Sequence, residues 1–357
     1  MAYFTVDASC PPEGVERISD PASGLDGVIV LHSTRLGPAA GGCRLWDYPN
    51  EGTMIGDAVR LAEGMSYKNA LAGLPFGGGK AVLRRPPGKF DRKALFQAFG
   101  RAVERLGGAY VTAEDVGTSV ADMEQVRRFT RHVSGLTAKP EQPGGDPSPW
   151  TALGVFGAME VATKCGLGMP LAGLRVAVQG LGSVGAELCR LLHFAGARLV
   201  VADVDRTKVS AMVAAYGAVA ADPDEIAGAE VDVFAPCALG ASLNRQSIRR
   251  LRARVVCGAA NNQLECAADG DWLASAGVLY APDFLVNAGG IISVAGEYFG
   301  WSKSEVARRV DGIPGRLRDL VQSAHAAKVP PERAAGTLAR SIIAAGNLNV
   351  RTIESAL

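Results

Sequence analysis

Several features that mark particular classes of protein are missing from this sequence. Its seven cysteines form no CxxC pair and are odd in number, and its four histidines are scattered without the spacing of metal ligands. These patterns argue against a disulfide framework and a metal site, so we expect a reduced, cytoplasmic protein that holds no metal. The net charge is only +1, which gives no electrostatic reason to expect a nucleic acid or an anionic membrane as a partner.

Long apolar runs are missing as well. A membrane-spanning helix needs about 20 consecutive apolar residues, and the sequence has no such stretch and no basic and apolar leader of the kind that directs secretion. Glycine, by contrast, is abundant, with 44 residues among 357, and it clusters in short runs. Such clusters favour loops whose backbone contacts a ligand, although many tight turns would give the same composition.

The chain is long enough for two domains, and its composition divides it. Residues 138–149 are dense in proline, glycine and aspartate and predict a domain boundary. Before this boundary, helices predicted over 53–72 and 92–106 alternate with strands and with glycine-rich turns. The first part is therefore predicted to be a domain of mixed helices and strands.

After the boundary, apolar strand-like segments alternate with helical ones, a pattern typical of a doubly wound parallel sheet. We therefore predict an α/β protein with two domains. Residues 1–145 would form an N-terminal α/β domain, residues 146–325 a Rossmann-type domain, and helices from about 325–357 would pack back on the first domain. The strands predicted in the second domain are 175–179, 198–202, 231–235, 255–257 and 278–280.

The best-defined motif directly follows the strand predicted at 175–179 and opens a helix. It fits the pattern G-x-G-x-x-G, whose glycines allow a tight turn, a close approach to a pyrophosphate, and close packing of helix on strand. The N–H groups at the start of the helix would hold the phosphates. A glycine-rich turn that binds nothing is the alternative for the motif alone. The motif consists of Gly180, Leu181, Gly182, Ser183, Val184 and Gly185.

Asp203 ends the next predicted strand, about 20 residues beyond the motif, as the dinucleotide-binding fingerprint requires. A carboxylate at this place accepts hydrogen bonds from the ribose 2′-hydroxyl and repels a 2′-phosphate. We therefore predict NAD rather than NADP as the cofactor, although the nearby Arg206 would favour a phosphate.

Three charged residues of the first domain differ from their surroundings. Lys68 continues the apolar stripe of a predicted helix, where it either extends along the core to solvent or binds an anion in a cleft. Lys80 follows three glycines, and partial burial beside a second cation would let it act as a base, but a surface lysine after a flexible turn is the commoner case. Asp115, next to Glu114, ends a short strand, a place suited to a cleft, although most such acids are simply solvated.

Seven short motifs, taken together and in order, resemble the glutamate/leucine/phenylalanine/valine dehydrogenase family, in its branch specific for apolar amino acids. The resemblance extends over about residues 28–340 and so covers nearly the whole chain. The motifs are GPAAGG at 37–42, GMSYK at 64–68, GGGK at 77–80, TAEDVG at 112–117, APCALG at 235–240, GAANN at 258–262, and PD followed by NAGG within 282–290.

The resemblance implies NAD-dependent, reversible oxidative deamination of a small apolar L-amino acid, branched-chain or phenylalanine, to a 2-oxo acid and ammonia. Lys80 would be the base that activates water for attack on the imino acid. Asp115 would assist proton transfer and stabilise the cationic amine. Lys68 would hold the substrate α-carboxylate, helped by the backbone of Gly41 and Gly42.

The resemblance also assigns the walls of the site. Asn262 would contact the substrate amine, and Ala40, Ala113, Ile291 and Val294 would border the side-chain pocket. Many leucine enzymes carry Leu at the position of Ala40, so the smaller residue would enlarge the pocket and leaves the preferred substrate open. The nicotinamide and ribose would be contacted by Thr151, Cys237, Ala238, Ala260, Asn261 and Asn287.

A homo-oligomer and an active site in the cleft between the two domains, where closure would exclude water, are further implications of the resemblance. Two rival functions remain. Another NAD oxidoreductase, acting on 2-hydroxy acids, would usually use a histidine base, but none of the four histidines lies in a glycine-rich loop. A non-catalytic NAD-binding protein would have no use for Lys68, Lys80 and Asp115 together.

Overall fold

The computed structural model describes residues 11–138, 142–238 and 240–346. The chain divides into two compact units. The first unit comprises the described residues up to 147, Ile291–Val306, and 338–346, and the second comprises Ser148–Gly290 and Ala307–Thr337. This division differs from one at residues 145 and 325, because Ile291–Val306 groups with the N-terminal part of the chain. Within the described residues, no helix combines the length and the apolar character needed to cross a membrane.

The first unit is built on a six-stranded mixed sheet. Its strands run in the order β1-β2-β5-β3-β6, and β4 also pairs with β5. The strands are β1 Gly14–Asp20, β2 Leu25–Ser33, β3 Ala39–Ala40, β4 Cys43–Trp46, β5 Gly77–Arg84 and β6 Tyr110–Val111, and the helices that follow them are α1 Glu51–Leu71, α2 Arg92–Arg105 and α3 Val120–Arg127.

Helices α1 and α2 cover opposite faces of this sheet. Val30 and Val82 belong to a buried cluster with Met54 of α1, whereas Ala81 belongs to the core formed with Phe96 of α2. Since successive side chains of a strand point to opposite faces, the even-numbered residues of β5 face α1. Lys80 therefore lies on the α1 face.

The second unit contains a six-stranded sheet in which every pairing is parallel. The order β12-β11-β10-β7-β8-β9 is that of a Rossmann fold, and confirms the predicted doubly wound sheet. The chain runs outward from β7 to β9 and then returns to the other side of β7, so the strand order reverses between β7 and β10. The strands are β7 Arg175–Gln179, β8 Arg198–Ala202, β9 Val219–Ala220, β10 Val233–Pro236, β11 Val255–Val256 and β12 Leu279–Tyr280.

The remaining helices belong to the second unit or pass from one unit to the other. Those within the second unit are α4 Ser148–Leu167, α5 Ser183–Phe194, α6 Arg206–Tyr216, α7 Arg245–Arg250, α8 Ala267–Ser275, α9 Asp283–Val286, α12 Ile313–Ala327 and a 3-10 turn at Ile226–Gly228. Those that cross the division are α10 Gly289–Phe299, α11 Lys303–Asp311 and α13 Pro331–Ala345.

The end of the described chain packs on the first unit, where Arg35 donates a hydrogen bond of 2.7 Å to the carbonyl of Ala344. Residues 338–346 thus group with the first unit and Ala307–Thr337 with the second, and the packing of the whole segment from about 325–357 on the first domain stays a prediction. The rest of the predicted segment, 347–357, lies outside the described residues.

Candidate active site

Lys80 lies inside a buried strand and not after a flexible turn. The segment Gly77–Arg84 is one continuous strand, and Lys80, opposite Val30 of β2, is only 4% exposed. The alternative of a surface lysine after a flexible turn is therefore wrong. Three consecutive glycines suggested a loop because glycine disfavours strands in general, but here they serve close packing.

The glycines around Lys80 allow neighbouring backbones to approach it. A Cβ on Gly78 would lie 2.1 Å from the backbone nitrogen of Ser66 in α1, and a Cβ on Gly77 would lie 1.9 Å from the carbonyl oxygen of Ser33. The same holds for Gly41, whose Cβ would lie 1.8 Å from the carbonyl oxygen of Gly79. These glycines thus bring α1, β5 and the Gly41–Gly42 link together, rather than leaving space for a ligand at their own Cα atoms.

The Gly41–Gly42 link joins β3 to β4. Both strands pair with β5: β3 at residues 77–78, before Lys80, and β4 at residues 81–84, after it. The GPAAGG segment at 37–42 thus contains a short strand, Ala39–Ala40. The N–H of Gly41 donates to the carbonyl of Val111, so this N–H is engaged within the sheet. The role of the Gly41–Gly42 backbone in holding a substrate carboxylate stays a prediction.

Lys80 and Asp115 form a close ion pair. Lys80 Nζ lies 3.0 Å from Asp115 Oδ2, and the two side chains are 6% and 19% exposed. Arg44 Nε donates to the same oxygen, also at 3.0 Å. In the described part of the chain, no group donates to the other carboxylate oxygen, Oδ1. The structure thus brings the two predicted catalytic residues together and leaves one carboxylate oxygen available.

The two neighbouring acids differ in their affinity for protons. Burial favours the protonated form of Asp115, but the charges of Lys80 and Arg44 outweigh it and lower the pKa to about 2. Burial raises the pKa of Glu114, and the nearby carboxylates of Asp146 and Glu297 raise it further. Asp115 is therefore an ionised carboxylate throughout the physiological range, as expected of a group that stabilises a cationic amine.

The loop after Asp115 is fixed by local hydrogen bonds. The N–H of Asp115 donates to the Thr118 hydroxyl at 2.8 Å, and that hydroxyl lies 3.0 Å from the carbonyl of Cys43. Arg92 donates to the carbonyl of Gly117 at 2.7 Å. The position of the carboxylate is thus set by contacts from β4 and α2.

Lys68 lies on α1, half-buried, two residues after Ser66. The fully buried stripe of α1 passes through Ala58, Ala62, Ser66 and Asn69, so Lys68 is at the border of that stripe and not within it. This position suits a cation that serves a site beside the helix. Its role in holding a carboxylate stays a prediction.

The predicted side-chain pocket residues all belong to the first unit. Ala40 and Ala113 are buried, whereas Ile291 and Val294 of α10 are partly exposed. The end of α10 is tied to the same unit by Glu297, whose carboxylate accepts the N–H groups of residues 135 and 136 at 2.8 and 3.0 Å.

In the second unit, the glycine-rich motif forms the connection from β7 to α5, as predicted. Gly180 adopts a positive φ of 97°, and a Cβ there would lie 2.7 Å from the nitrogen of Ala238. A Cβ on Gly185 would lie 1.9 Å from the Gly180 carbonyl oxygen. By contrast, nothing in the described chain lies within 4 Å of a Cβ on Gly182, the residue that caps α5. The first and last glycines serve packing, and Gly182 borders open space.

Asp203 follows β8, and its carboxylate is oriented by the backbone. Oδ2 accepts the N–H of Leu181 in the glycine-rich turn at 2.6 Å, and Oδ1 accepts the N–H of Asp205 at 2.8 Å. Each oxygen keeps lone pairs for a further donor. The turn, the open helix start of Ser183 and Val184, and this carboxylate thus fit the pyrophosphate and ribose of a nicotinamide dinucleotide.

Other predicted cofactor residues follow the C-terminal ends of β10 and β11, where ligands bind in such sheets. Cys237 and Ala238 follow β10, and burial raises the pKa of the Cys237 thiol to about 12, so this wall is uncharged. Asn287 donates to the carbonyl of Ala259 at 3.1 Å and to the side chain of Asn261 at 3.0 Å.

Three further predicted residues lie in the second unit. Ala260 donates its N–H to the carbonyl of Pro236, which holds the segment after β11 against β10. Asn262 adopts a left-handed conformation, with φ of 52°. Thr151 lies in the first turn of α4. Their contacts with substrate or cofactor stay predictions.

The residues around Asp115 that sequence reasoning missed are Arg44, Asp57 and Thr118. The alternation of Cys43, Arg44 and Leu45 along a strand would have placed the guanidinium on the face opposite the two apolar residues. The signal was weak because only four residues form this strand.

Comparison with known proteins agrees with this geometry. The sequence profile of the Glu/Leu/Phe/Val dehydrogenase dimerisation domain matches residues 12–132. The profile of the Glutamate/Leucine/Phenylalanine/Valine dehydrogenase domain matches residues 201–347.

Individual relatives match over nearly their whole length. Leucine dehydrogenase from Bacillus subtilis (strain 168) is 45% identical over 91% of this chain and 89% of its own. Valine dehydrogenase from Streptomyces albus is 44% identical over 93% and 92%. The crystal structure of L-tryptophan dehydrogenase from Nostoc punctiforme has a TM-score of 0.81 at 37% identity and covers 96% of this chain and 98% of its own. The chain therefore belongs to the Glu/Leu/Phe/Val dehydrogenase family of amino-acid dehydrogenases, with a Rossmann-type domain for a nicotinamide dinucleotide.

Proposed function

We propose that this protein catalyses the NAD-dependent, reversible oxidative deamination of an apolar L-amino acid to a 2-oxo acid and ammonia. The observation that carries the proposal is the buried pair of Lys80 and Asp115, 3.0 Å apart, on a sheet whose glycines bring the surrounding backbone close. Relatives named for leucine, valine and tryptophan support an apolar substrate.

In this proposal Lys68 binds the substrate α-carboxylate. The glycine-rich turn after β7 and Asp203 would hold NAD, which would supply the acceptor for the hydride of the substrate Cα. Lys80, with its proton lost, takes a proton from water as the water oxygen attacks the carbon of the imino acid. The resulting carbinolamine gains a proton on nitrogen and loses one from oxygen, its C–N bond breaks, and ammonia leaves. Asp115 faces the amine with Oδ1 and stabilises its cationic form at each of these stages.

The preference for NAD over NADP is argued from Asp203. Two backbone N–H groups fix its carboxylate, which would accept the ribose 2′-hydroxyl and repel a phosphate at that position. Arg206 begins the exposed helix α6 and is the residue that would oppose this preference.

A homo-oligomer is also part of the proposal. The profile that matches residues 12–132 is described as a dimerisation domain, and closed symmetric assemblies are the usual state of soluble oligomers. Light scattering on the purified protein measures the number of subunits.

The test is a screen of cofactor reduction with leucine, valine, isoleucine, phenylalanine, tryptophan and glutamate, run with NAD and with NADP. We expect turnover with one or more apolar amino acids and NAD, and loss of that turnover in Lys80→Met. Lys93→Met, an exposed lysine of α2, is the matched control and should keep full activity.

Three outcomes would contradict the proposal. Equal turnover in the Lys80 and Lys93 variants would remove Lys80 from the reaction. Turnover with glutamate alone would exclude an apolar substrate. NADH binding without turnover of any amino acid would instead indicate a non-catalytic NAD-binding protein.

A further inference from the structure

Arg44 lies between two carboxylates on the face of the sheet that carries α1. Its Nε donates to Asp115 Oδ2, and its NH1 nitrogen donates to Asp57 Oδ2, each at 3.0 Å. The guanidinium is a planar group with fixed donor directions, so two simultaneous contacts hold it in one orientation. The orientation of the Asp115 carboxylate therefore depends, through Arg44, on the position of α1.

Asp57 is itself held in place on α1. The Tyr48 hydroxyl donates to its Oδ2 at 2.6 Å, and Arg60 donates to its Oδ1 at 2.9 Å. Charges thus alternate along a row from Lys80 through Asp115, Arg44 and Asp57 to Arg60. Arg44, at 19% exposure of its side chain, is screened little by solvent, which strengthens its interaction with both neighbours.

Lys80 and Arg44 share one oxygen of Asp115, but they differ in chemistry. A lysine base exchanges its proton during each turnover, whereas a guanidinium stays charged at every working pH. The carboxylates of Asp115 and Asp57 outweigh burial and raise the pKa of Arg44 further. When Lys80 is neutral, Arg44 remains the cation in direct contact with Asp115.

We propose that Arg44 is a positioning residue, which holds the carboxylate of Asp115 ionised and oriented while Lys80 loses and regains a proton, so that Oδ1 stays available to the substrate amine. This inference rests on the proposed roles of Lys80 and Asp115. It adds a residue that acts on the reaction through Asp115 and does not itself touch the substrate.

Within the described residues, Lys80 and Arg44 are the cations paired with Asp115, and Arg44 is the one whose charge is permanent. Lys80 belongs to β5 and Arg44 to β4. On the far side of Arg44 from Asp115 lie Asp57 and Arg60 of α1. The side chains of Cys43 and Tyr110 also interact electrostatically with Asp115. The Cys43 thiol and the Tyr110 hydroxyl both stay protonated, because burial raises the pKa of each.

The test compares Arg44→Gln and Arg44→Lys with Arg60→Gln in the full-length protein. Arg60 is the matched control because it pairs with Asp57 but does not touch Asp115. We expect Arg44→Gln to lower kcat by about 100-fold, the effect of misplacing a reacting group by about 1 Å, with a smaller change in KM for the amino acid. Arg44→Lys should recover part of kcat, because it restores the charge without the fixed geometry.

The pH profile separates this role from a purely structural one. The charge of Arg44 lowers the pKa of Asp115, so its removal favours the protonated form of this carboxylate. The acid limb of kcat/KM should therefore move to higher pH in Arg44→Gln, and stay at its original position in Arg44→Lys and Arg60→Gln. Urea unfolding of each variant shows whether it is folded under the assay conditions.

An acid limb that stays in place in a folded Arg44→Gln variant would overturn the inference, as would equal losses of kcat in the Arg44→Gln and Arg60→Gln variants. If Arg44→Gln does not fold, Arg44→Lys alone still tests the geometry, and an unchanged kcat there would also overturn it. The Lys80→Met variant distinguishes the two proposals: if it keeps its activity, the proposed function itself fails.

Discussion

Ala40 is a buried residue that is also proposed to border the substrate side-chain pocket. It is 1% exposed on β3, and its neighbour across the sheet is Gly78. Ala39 lies in the core with α2, so Ala40 points to the other face, the one that carries Lys80. A side chain added at Ala40 therefore grows toward the proposed site, and one added at Ala39 grows into the core.

We expect Ala40→Leu to lower activity with phenylalanine relative to leucine by about tenfold or more, since methylene-sized changes in an apolar pocket have effects of this order. The measurement is kcat/KM for both amino acids. Ala39→Leu is the control: it should cost about 1–3 kcal/mol of unfolding free energy by overpacking and leave the substrate ratio unchanged. An unchanged ratio in Ala40→Leu would remove Ala40 from the pocket.

At the residue scale, sequence reasoning identified Lys80 and Asp115 but not the group that joins them to α1. Lys80 and Asp115 lie in motifs that resemble a family. Arg44 lies in a four-residue strand with one charge, a pattern as common on surfaces as in sites. Its two carboxylate partners are 13 and 71 residues away in sequence, and no local pattern indicates such a contact.

The packing of α1 on β5 is the element-scale feature that places Lys80. Gly78→Ala would put a methyl group against the backbone of Ser66, which a rotation of a side chain does not relieve. We expect a loss of about 3 kcal/mol or more, at the upper end for overpacked cores, measured by urea unfolding.

Gly64, on the same helix, provides the opposite case. A Cβ there meets nothing within 4 Å, so Gly64→Ala should raise the unfolding free energy by about 0.5–1 kcal/mol through helix propensity. Similar losses in both variants would show that the contact of α1 with β5 does not limit stability.

The elements predicted best from the sequence have either a clear helical spacing of apolar residues or a short apolar run. β7 and β8 begin and end at the predicted residues, and α1 begins at Glu51 and ends at Leu71, close to the predicted 53–72. Helix α4 begins at Ser148, inside the predicted boundary segment 138–149. Pro149 suggested a loop there, but proline is favoured in the first turn of a helix. β1 was missed because it is an edge strand with many exposed side chains.

At the scale of the whole molecule, the free energy of cofactor binding adds to the free energy of folding. NADH at 100 times its Kd should stabilise the protein by about 2.7 kcal/mol. Gly182 borders open space but caps α5, so we expect Gly182→Ala to lower the stability of the free protein by about 0.5–1 kcal/mol, because alanine is a poorer N-cap than glycine. It should abolish most of the stabilisation by NADH, since the methyl group would occupy the place of the pyrophosphate.

Thermal unfolding with and without NADH measures both quantities. Gly185→Ala is the contrasting variant, because its Cβ would collide with the Gly180 carbonyl and lower stability even without cofactor. Full stabilisation of Gly182→Ala by NADH would place the pyrophosphate elsewhere.

The distribution of the late segments between the two units was the least predictable part of the molecule. Sequence order suggested that residues up to about 325 belong to one domain, yet Ile291–Val306 groups with the first unit. The contacts responsible include Glu297 with the backbone of residues 135 and 136. Contacts between residues so far apart in sequence form only in the folded chain, and no periodic pattern in the sequence predicts them.

The glycine-lined seam around Lys80 also restricts how this enzyme can change. At Gly41, Gly42, Gly77 and Gly78, any side chain would meet backbone atoms of a neighbouring segment, so nearly every substitution there costs the fold before it alters the reaction. Ala40, Ala113, Ile291 and Val294 carry no such restriction from glycine. Changes toward a new substrate are therefore expected at the proposed pocket residues, whereas the glycines around Lys80 tolerate few substitutions.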